Sequence, residues 1–205
     1  MILIGMLDSP YVRRVAIGMK VLSLEHEHRP LSVFSDFNQV RSINPAVKVP
    51  TLVTDDGRVL MDSTLILAYL EELAAHAPRI RPEPEPEPGP ARLRALCQTS
   101  YALAACDKAV QIVYERRLRP QEKQHQPWLD RIQLQLHGAW AQLEASLREE
   151  APDCLSIAGI TIAVAWSFAQ QMVPDVMAAS DYPAVAALTA LAEQQPVFLA
   201  TPMAG

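Results

Sequence analysis

Proline occupies every second position from Pro82 to Pro90, with glutamate between most of these prolines. Because proline lacks a backbone N–H and has a fixed φ, this tract cannot form a helix interior or a central strand. We expect an extended, polyproline-II-like and solvated spacer; an alternative is that the acidic tract binds a proline-recognition module. The sequence therefore predicts a first domain over residues 1–78, a linker over 79–90 and a second domain over 91–205.

The first domain alternates strand and helix patterns. Asp55-Asp56-Gly57 is typical of a hairpin turn, and the irregular segment that ends at Asn44 leaves room for a short helix. Predicted strands span Ile2–Leu7, Glu27–Val33, Thr51–Thr54 and Arg58–Met61, and predicted helices span Pro10–Leu24 and Ser63–Ala77. A βαβ unit followed by a hairpin and a closing helix predicts an α/β domain, a small mixed sheet with helices packed on it.

The second domain has helical periodicity and no strand pattern. Predicted helices span Arg92–Leu118, Pro127–Glu149, Ser156–Gln171 and a segment from Tyr182 to Pro196. The third of these is apolar nearly all round, which is typical of a helix in the middle of a bundle. We therefore predict an all-α domain of about five helices.

Apolar stripes indicate which face of each helix is buried. Arg13 and Arg14 lie off the stripe of the first helix, and Asp107 interrupts the stripe of the helix after the linker. In the two helices of the first domain, the stripes are Val12, Val15, Ala16, Met19 and Leu22, and then Leu65, Ile66, Tyr69, Leu70 and Leu73. In the first two helices of the second domain, they are Leu93, Leu96, Cys97, Ser100, Leu103, Ala104, Val110 and Tyr114, and then Trp128, Ile132, Leu136, Trp140, Leu143 and Leu147.

Charge and composition exclude several classes of partner. A net charge of −5 and a pI near 5.5 argue against nucleic acid. No apolar run approaches the roughly 18 residues that a membrane span requires, and the apolar N-terminus lacks the basic region of a signal peptide. The three scattered cysteines indicate a reducing, cytoplasmic setting, and none of the five histidines has metal-ligand spacing, so we expect no metal.

The stretch around Val49-Pro50 has an exposed-backbone pattern. Pro50 is tolerated at the start of a strand because its missing N–H falls outside the ladder. It also favours an extended conformation for Val49, whose N–H and C=O can then point outward without partners. An extended segment with free backbone groups can receive a peptide as an additional strand.

Two helix starts carry residues that suit anions. Ser9 precedes Pro10, and the pair Asp62-Ser63 precedes the last helix of the first domain. The N–H groups and dipole at a helix N-terminus favour negative charge, and a hydroxyl there can help to stabilise an anion. The alternative is that Ser9, Asp62 and Ser63 only cap their helices.

The motifs Ser9-Pro10, Val49-Pro50 and Asp62-Ser63, in this order and spacing, resemble the glutathione transferase family. Tyr182-Pro183 supports the resemblance in the second domain. The resemblance implies a thioredoxin-like first domain, glutathione as co-substrate and no metal. It implies that Ser9 is the catalytic residue, which would lower the pKa of the glutathione thiol from its ordinary value of about 8.5. The implied glutathione-binding residues are Lys48, Val49, Pro50, Asp62 and Ser63.

The resemblance also implies a role for each of these residues. The Val49 backbone would pair with the cysteinyl amides of glutathione, and the Val49–Pro50 bond would be cis. Lys48 would meet the glycine carboxylate, although an exposed lysine without a role is an equal alternative. Ser63 would take the γ-glutamyl carboxylate, and Asp62 would pair with the ammonium. The family more often has Glu or Gln at position 62, and Asp is one methylene shorter.

Further residues concern the second substrate and the second domain. Tyr11 and Asp107 are candidates for the acceptor pocket, with a structural network as the alternative for Asp107 and core packing as the better interpretation of Trp166. Gly159 stands where the family has a buried Asp in a capping box, so Ser156 is left to cap its helix alone. Glycine in a helix also costs about 1 kcal/mol relative to alanine.

The resulting hypothesis is a cytoplasmic, homodimeric glutathione transferase that conjugates the glutathione thiolate to a small, hydrophobic electrophile. The main alternative is a non-catalytic binding or scaffold protein of the same fold, because a fold does not determine a function. A glutathione-dependent thiol reductase is a weaker alternative, since it requires a nucleophilic cysteine near position 9 and the sequence has none there.

Overall fold

The computed structural model describes residues 1–76 and 89–203, which form two units. The first unit consists of Met1–Pro86 together with Gln195–Gly205, and the second is Glu87–Gln194. The last residues of the chain therefore lie with the first unit, whereas the sequence analysis assigns them to the helical domain.

The first unit contains a four-stranded sheet with helices. Its strands are β1 (Ile2–Ile4), β2 (Glu27–Arg29), β3 (Thr51–Val53) and β4 (Val59–Met61), and its helices are α1 (Pro10–Val21), α2 (Phe37–Ile43) and α3 (Ser63–His76). The strand order is β2-β1-β3-β4, with β1 parallel to β2 and the other pairs antiparallel. Ile2 lies opposite Glu27 on one side and Val53 on the other. This mixed sheet confirms the predicted thioredoxin-like α/β class.

Helix α1 is buried on more faces than its sequence suggests. The predicted stripe is confirmed, since Val12, Val15 and Met19 are fully buried. Arg13 and Arg14, which the pattern places off the stripe, are also buried, each with 2% of its surface exposed. Both are buried although they lie off the stripe, because α1 packs against α3 and against a short helix near the C-terminus.

That short helix, α8 (Pro196–Leu199), was not predicted. Phe198 is buried, and the guanidinium of Arg13 lies over its ring at 5.5 Å from the centroid. The Arg13 Nε donates a hydrogen bond to the Thr201 carbonyl oxygen over 2.9 Å. These contacts give a desolvated guanidinium an acceptor and an aromatic face, and they join residues 195–203 to the first unit.

The predicted stripe of α3 is only partly correct. Ile66 and Leu70 are fully buried, as predicted. Leu65, Tyr69 and Leu73 are instead exposed, by 59%, 37% and 37%. The helix buries the face that contacts α1, so the stripe prediction combined residues from two faces.

The second unit has four α-helices among its described residues: α4 (Pro90–Leu118), α5 (Gln126–Glu149), α6 (Ile157–Met172) and α7 (Pro183–Glu193), with short 3-10 turns at Gln121–Lys123 and Ala179–Asp181. Helix α6 is buried nearly all round, which confirms its predicted place in the bundle. Trp166 packs edge-on against Trp140 and Tyr182, with ring centroids 5.0 and 5.7 Å apart, so its core interpretation is confirmed.

Helix α4 buries a different face from the one predicted. Leu93, Leu96 and Tyr114 are exposed by 63%, 57% and 46%. The buried face is made largely of small side chains, namely Ala102, Ala105, Cys106 and Ala109. Small residues let α4 approach α5 and α6 closely, and this packing leaves the larger apolar side chains outside.

Most of the predicted linker lies outside the described residues, because residues 77–88 are not among them. Gly89 is the N-cap of α4, and Pro90 is its first residue. The helix therefore begins two residues before the predicted Arg92, with proline at the position where its missing N–H costs nothing. Within the described ranges, no helix is both long and apolar enough to cross a membrane.

Candidate functional site

Ser9 is the N-cap of α1. Capping is one of the two roles that the sequence allows for this residue. Its Oγ accepts a hydrogen bond from the Val12 N–H over 3.4 Å, and Pro10 opens the helix. The side chain is half-buried. A capping oxygen at this distance retains its own hydrogen for donation, so the hydroxyl can also face an anion at the positive end of α1.

Gly5 brings the start of α1 close to Val49. It has a φ of +133°, and a Cβ added there would lie 2.5 Å from Val12 Cγ2 and 3.0 Å from Val49 Cβ. A larger residue would therefore collide with both the first turn of α1 and the Val49 segment. The sequence analysis did not identify Gly5, although a glycine directly after a buried strand is a signal for such close approach.

The Val49–Pro50 peptide bond is cis, as the resemblance implies. Pro50 is buried and directly precedes β3, and Val49 is half-buried. In residues 1–76 and 89–203, no hydrogen bond engages the N–H or the C=O of Val49. The backbone groups of Val49 are thus unpaired, as expected from the sequence, and they lie in a bend that directly precedes β3.

Two side chains hold this segment from behind. The Asn44 Nδ2 donates to Thr51 Oγ1 over 2.8 Å, and Thr51 Oγ1 donates in turn to the Lys48 carbonyl over 2.6 Å. Asn44 Oδ1 accepts from the Ala46 N–H over 3.0 Å. Both Asn44 and Thr51 are buried, so this network fixes the backbone immediately before Val49. Sequence reasoning missed both residues as supports, because Asn before Pro signals only a turn.

Asp62 caps α3 in a conformation that few non-glycine residues adopt. Its φ is +76°, and its Oδ1 accepts from the Thr64 N–H over 2.9 Å and from the Leu65 N–H over 3.3 Å. Its Oδ2 lies 4.0 Å from the Lys48 Nζ, and both side chains are about half exposed. A left-handed backbone at a non-glycine residue is an outlier typical of functional sites.

Ser63, the first residue of α3, is buried beside a guanidinium. Its Oγ accepts from the Arg14 Nη1 over 3.0 Å, and the same nitrogen donates to Thr64 Oγ1 over 3.1 Å. The Ser63 N–H has no hydrogen-bond partner in the described parts of the chain. The start of α3 therefore presents a free N–H and a hydroxyl next to the Asp62 carboxylate.

Ser9, Lys48, Val49, Pro50, Asp62 and Ser63 all lie in the first unit. Its geometry supplies a hydroxyl at one helix start, free backbone groups just before β3, and a carboxylate with hydrogen-bond donors at a second helix start. Such a set can hold an extended peptide that ends in an ammonium and a carboxylate. Among the described residues, no three His, Cys, Asp or Glu side chains cluster as metal ligands.

The two candidates for the acceptor pocket lie in different units. Tyr11 is half-buried in the first turn of α1, in the first unit. Asp107 is exposed on α4, in the second unit. The expectation that Asp107 interrupts the buried face of its helix was wrong, because α4 buries its opposite, alanine-rich face.

Comparison with known families gives a match over the first unit. Residues 3–83 match the model of the glutathione S-transferase N-terminal domain. A 67-residue segment is 36% identical to a probable maleylacetoacetate isomerase of Caenorhabditis elegans, covering 32% of this chain and 31% of that protein. The matched segments span between 31% and 39% of the curated relatives' own length.

Solved structures resemble the whole chain. A glutathione transferase family member from Pseudomonas fluorescens Pf-5 with bound S-(propanoic acid)-glutathione is 32% identical, with a TM-score of 0.80 and 98% of each chain covered. The structure of a family member from the same organism with bound glutathione has a TM-score of 0.83 and 30% identity, and covers 100% of this chain and 99% of that one. The likeness therefore extends beyond the residues that the family model matches.

Proposed function

Because this chain belongs to the glutathione S-transferase family, we propose that it is a glutathione transferase that conjugates glutathione to a small, hydrophobic electrophile. Relatives with bound glutathione or a glutathione conjugate support glutathione as the ligand. The conjugation reaction and the roles of individual residues are part of the proposal.

The proposed binding mode uses each polar group of the first unit once. The N–H and C=O of Val49 pair with the cysteinyl backbone of glutathione, and Pro50 orients that segment. The Ser63 N–H and hydroxyl receive the γ-glutamyl carboxylate, and Asp62 receives the ammonium. Lys48 turns to the glycine carboxylate, which replaces its 4.0 Å contact with Asp62.

In the proposed reaction Ser9 donates its hydroxyl hydrogen to the glutathione sulfur. The thiol has an unperturbed pKa of about 8.5, and each unit by which the site lowers this pKa corresponds to about 1.4 kcal/mol of preferential thiolate binding. The thiol proton leaves to solvent, and the sulfur lone pair forms the new bond to the electrophilic carbon. In a substitution that carbon releases its leaving group with the bonding electrons, and in an addition its π electrons take up a proton.

The observation that carries the proposal is the unpaired Val49 backbone in a segment that buried side chains hold in place. Asn44 accepts from the Ala46 N–H and Thr51 donates to the Lys48 carbonyl, yet the N–H and C=O of Val49 have no partner in residues 1–76 and 89–203. Unpaired backbone groups at half-buried positions are costly unless water or a ligand satisfies them. An extended peptide is the ligand that such groups fit best.

The test combines binding with turnover. We expect calorimetry to detect glutathione binding at micromolar to low millimolar dissociation constants near neutral pH, and Ser63→Ala to weaken it. A Ser9→Ala variant should bind glutathione but lose conjugation of a chromogenic aryl halide at saturating glutathione, by about 10²-fold or more. Full activity in Ser9→Ala would exclude Ser9 as the catalytic residue.

A non-catalytic binding protein is the second candidate, and the Ser9 geometry is the observation that favours it. Ser9 already has a structural role, since its Oγ caps α1 through the Val12 N–H. A cap requires no catalysis. Glutathione binding without conjugation of a panel of aryl halides, epoxides and unsaturated carbonyl compounds would support this candidate over the transferase.

We further propose that the protein is a cytoplasmic homodimer. In the first unit, Val59 and Met61 on the edge strand β4 are exposed by 46% and 39%, and Leu65 on α3 by 59%. Exposed apolar side chains on an edge strand and a nearby helix suit an interface between subunits. Light scattering should give twice the chain mass of 22.6 kDa, and Leu65→Glu should shift the protein towards monomer.

A further inference from the structure

We infer that Arg14 is a positioning residue that makes the start of α3 selective for a carboxylate. This inference rests on the proposed function and deepens it, because it assigns a role in recognition of the glutamyl carboxylate to Arg14, which the proposed binding mode does not use. It also adds Thr64 to the groups that meet the ligand.

The geometry around one guanidinium nitrogen carries the inference. A guanidinium Nη has two hydrogens and no capacity to accept. Nη1 of Arg14 donates to Ser63 Oγ over 3.0 Å and to Thr64 Oγ1 over 3.1 Å. Both of its hydrogens are therefore used, and both hydroxyl oxygens act as acceptors.

This arrangement determines what the hydroxyls can do for a ligand. A hydroxyl that accepts from Arg14 still has one hydrogen to donate. In the described residues, neither the Ser63 nor the Thr64 hydroxyl donates to another protein group. With the open Ser63 N–H, the start of α3 thus offers three donors to one incoming group.

Three available donors at one helix start favour a group that only accepts. A carboxylate accepts through both oxygens and carries the charge that strengthens each bond. A missing carboxylate would leave the hydrogen of the buried Ser63 hydroxyl without a charged acceptor beside a buried guanidinium. Asp62 lies at the same helix start, so the site has complementary groups for the carboxylate and the ammonium of one α-amino acid.

Burial keeps this polarity fixed. Arg14 has 2% of its surface exposed and Ser63 5%, so water does not compete freely for their hydrogen bonds. Arg14 extends from α1, whereas Ser63 and Thr64 belong to α3. The hydrogen bonds therefore join the helix that Ser9 caps to the helix that binds the glutamyl group.

Two probes test the inference by calorimetry. One is glutathione, and the other is 4-aminobutyryl-cysteinyl-glycine, which keeps the ammonium, thiol and glycine but lacks the glutamyl α-carboxylate. We expect Arg14→Met to weaken glutathione binding by about tenfold and to change the affinity for the second probe by less than about twofold. Arg14→Lys, which still donates, should retain most of the discrimination.

Arg13→Met is the matched control. Arg13 is equally buried on the same helix, but it donates to the Thr201 carbonyl and does not contact α3 hydroxyls in the described structure. Its loss should lower stability while the ratio of the two probe affinities stays at the wild-type value. Thr64→Val provides a second variant if Arg14→Met does not fold, and it should lower glutathione affinity about threefold and leave the second probe unaffected.

The outcomes separate this inference from the proposed function. If the wild-type protein binds neither probe, the proposed glutathione site is wrong and the inference fails with it. If the wild-type protein binds glutathione, but Arg14→Met weakens both probes equally or Thr64→Val weakens neither, only the inference is overturned. In that case Arg14 supports the fold and not the recognition of a carboxylate.

Discussion

The helix starts of the two units differ in what satisfies them. At the start of α7, the Glu144 carboxylate accepts from the N–H groups of Ala184 over 2.9 Å and of Val185 over 3.0 Å. At the start of α3, Asp62 takes the N–H groups of Thr64 and Leu65, but the Ser63 N–H has no partner in the described ranges. We call the start of α7 closed, because Glu144 accepts from its free N–H groups. We call the start of α3 open, because the Ser63 N–H remains available to a ligand.

The same physical effect stabilises one unit and, in our proposal, binds a ligand in the other. Every helix start has N–H groups that require acceptors. A buried carboxylate from a neighbouring helix satisfies them permanently, and it then adds to the cohesion of the bundle. At the open start of α3, an N–H group lacks a protein acceptor in the described residues, and a ligand anion could supply that acceptor.

Loss of the Glu144 carboxylate should have the largest effect on stability. Glu144 is 5% exposed and bridges α5 to α7, and its Oε1 also accepts from Arg148 Nε over 2.9 Å. Glu144→Ala would leave the buried N–H of Val185 and the partly buried N–H of Ala184 without acceptors, so we expect a loss of about 3 kcal/mol in the free energy of unfolding. Urea unfolding measures this loss, and amide hydrogen exchange should accelerate at Ala184 and Val185.

Glu149→Ala is the control for that variant, because Glu149 is exposed on the same helix. It should change the free energy of unfolding by less than about 0.5 kcal/mol. Folded Glu144→Ala protein should bind glutathione with the wild-type affinity. A large drop in that affinity would contradict the proposal that the start of α7 contributes to stability and not to glutathione binding.

Gly159→Ala should destabilise the start of α6. The Ser156 Oγ accepts from the Gly159 N–H over 3.1 Å, so Ser156 caps α6 alone, as predicted. The loop before α6 comes so near that a Cβ on Gly159 would lie 2.1 Å from the Asp153 carbonyl oxygen and 2.7 Å from Cys154 Cα. Because both are backbone atoms, we expect the alanine to cost about 1–3 kcal/mol in unfolding free energy.

Destabilisation by Gly159→Ala would be the opposite of what helix propensity alone predicts at this position. In an open helix, alanine would gain about 1 kcal/mol over glycine. Gly138, in α5, has no atom within 4 Å of an added Cβ, so Gly138→Ala is the matched control and should stabilise the protein. Equal stabilisation by both substitutions would contradict the close packing of the loop against α6.

The order of elements was predictable because its signals are local. Prolines, caps and a hairpin turn mark the ends of α1, α3 and β3, and the α1 stripe follows from helical periodicity alone. Ser9, Val49 and Ser63 could be selected for the same reason, since each stands next to a proline or a helix start. The tertiary partners of these residues could not be predicted in this way.

Burial depends on which elements cover a face, and those elements are distant in sequence. Arg13 is covered by residues near position 200, and Arg14 meets α3 about 50 residues later. For α4, counting large apolar residues favoured the face with Leu93 and Leu96, whereas close helix packing selected the alanines. Gly5 and Asn44 were missed because their importance arises from contacts that form only in the folded unit.

Asp62→Gly should separate stability from binding at the open helix start. Glycine adopts a φ of +76° without a steric penalty, and it caps a helix only a few tenths of a kcal/mol less well than aspartate. We therefore expect the free energy of unfolding to stay within about 1 kcal/mol of wild type. Glutathione affinity should fall at least fivefold in calorimetry, because the ammonium loses its carboxylate partner.

Asp62→Ala serves as the control for backbone strain. It also removes the carboxylate, but it retains the unfavourable φ and loses the cap, so it should lower the free energy of unfolding by about 1–2 kcal/mol. Its glutathione affinity should match that of Asp62→Gly. If Asp62→Gly binds glutathione as well as wild type, the carboxylate only caps α3, and both helix starts are structural.

The smallest expected effect concerns the closed start of α7 at alkaline pH. Burial, and to a lesser extent the charge of Asp181, raises the pKa of the Tyr182 hydroxyl above its ordinary value of 10.0. This hydroxyl lies 2.9 Å from the His137 Nδ1, and Tyr182 is the N-cap residue of α7. Above pH 10 the unfolded chain loses this proton more readily than the folded one, so stability falls as the pH rises.

The difference in unfolding free energy between wild type and Tyr182→Phe isolates this effect from the other groups that titrate in alkali. Near neutral pH the hydroxyl should favour wild type by about 1 kcal/mol through its contact with His137. That advantage should shrink steadily as the pH rises past 10.0, the ordinary pKa of the tyrosine hydroxyl. A constant difference up to pH 11 would mean that the Tyr182 hydroxyl ionises as readily in the folded protein as in the unfolded chain. The start of α7 would then be less closed to solvent than the contacts of Glu144 indicate.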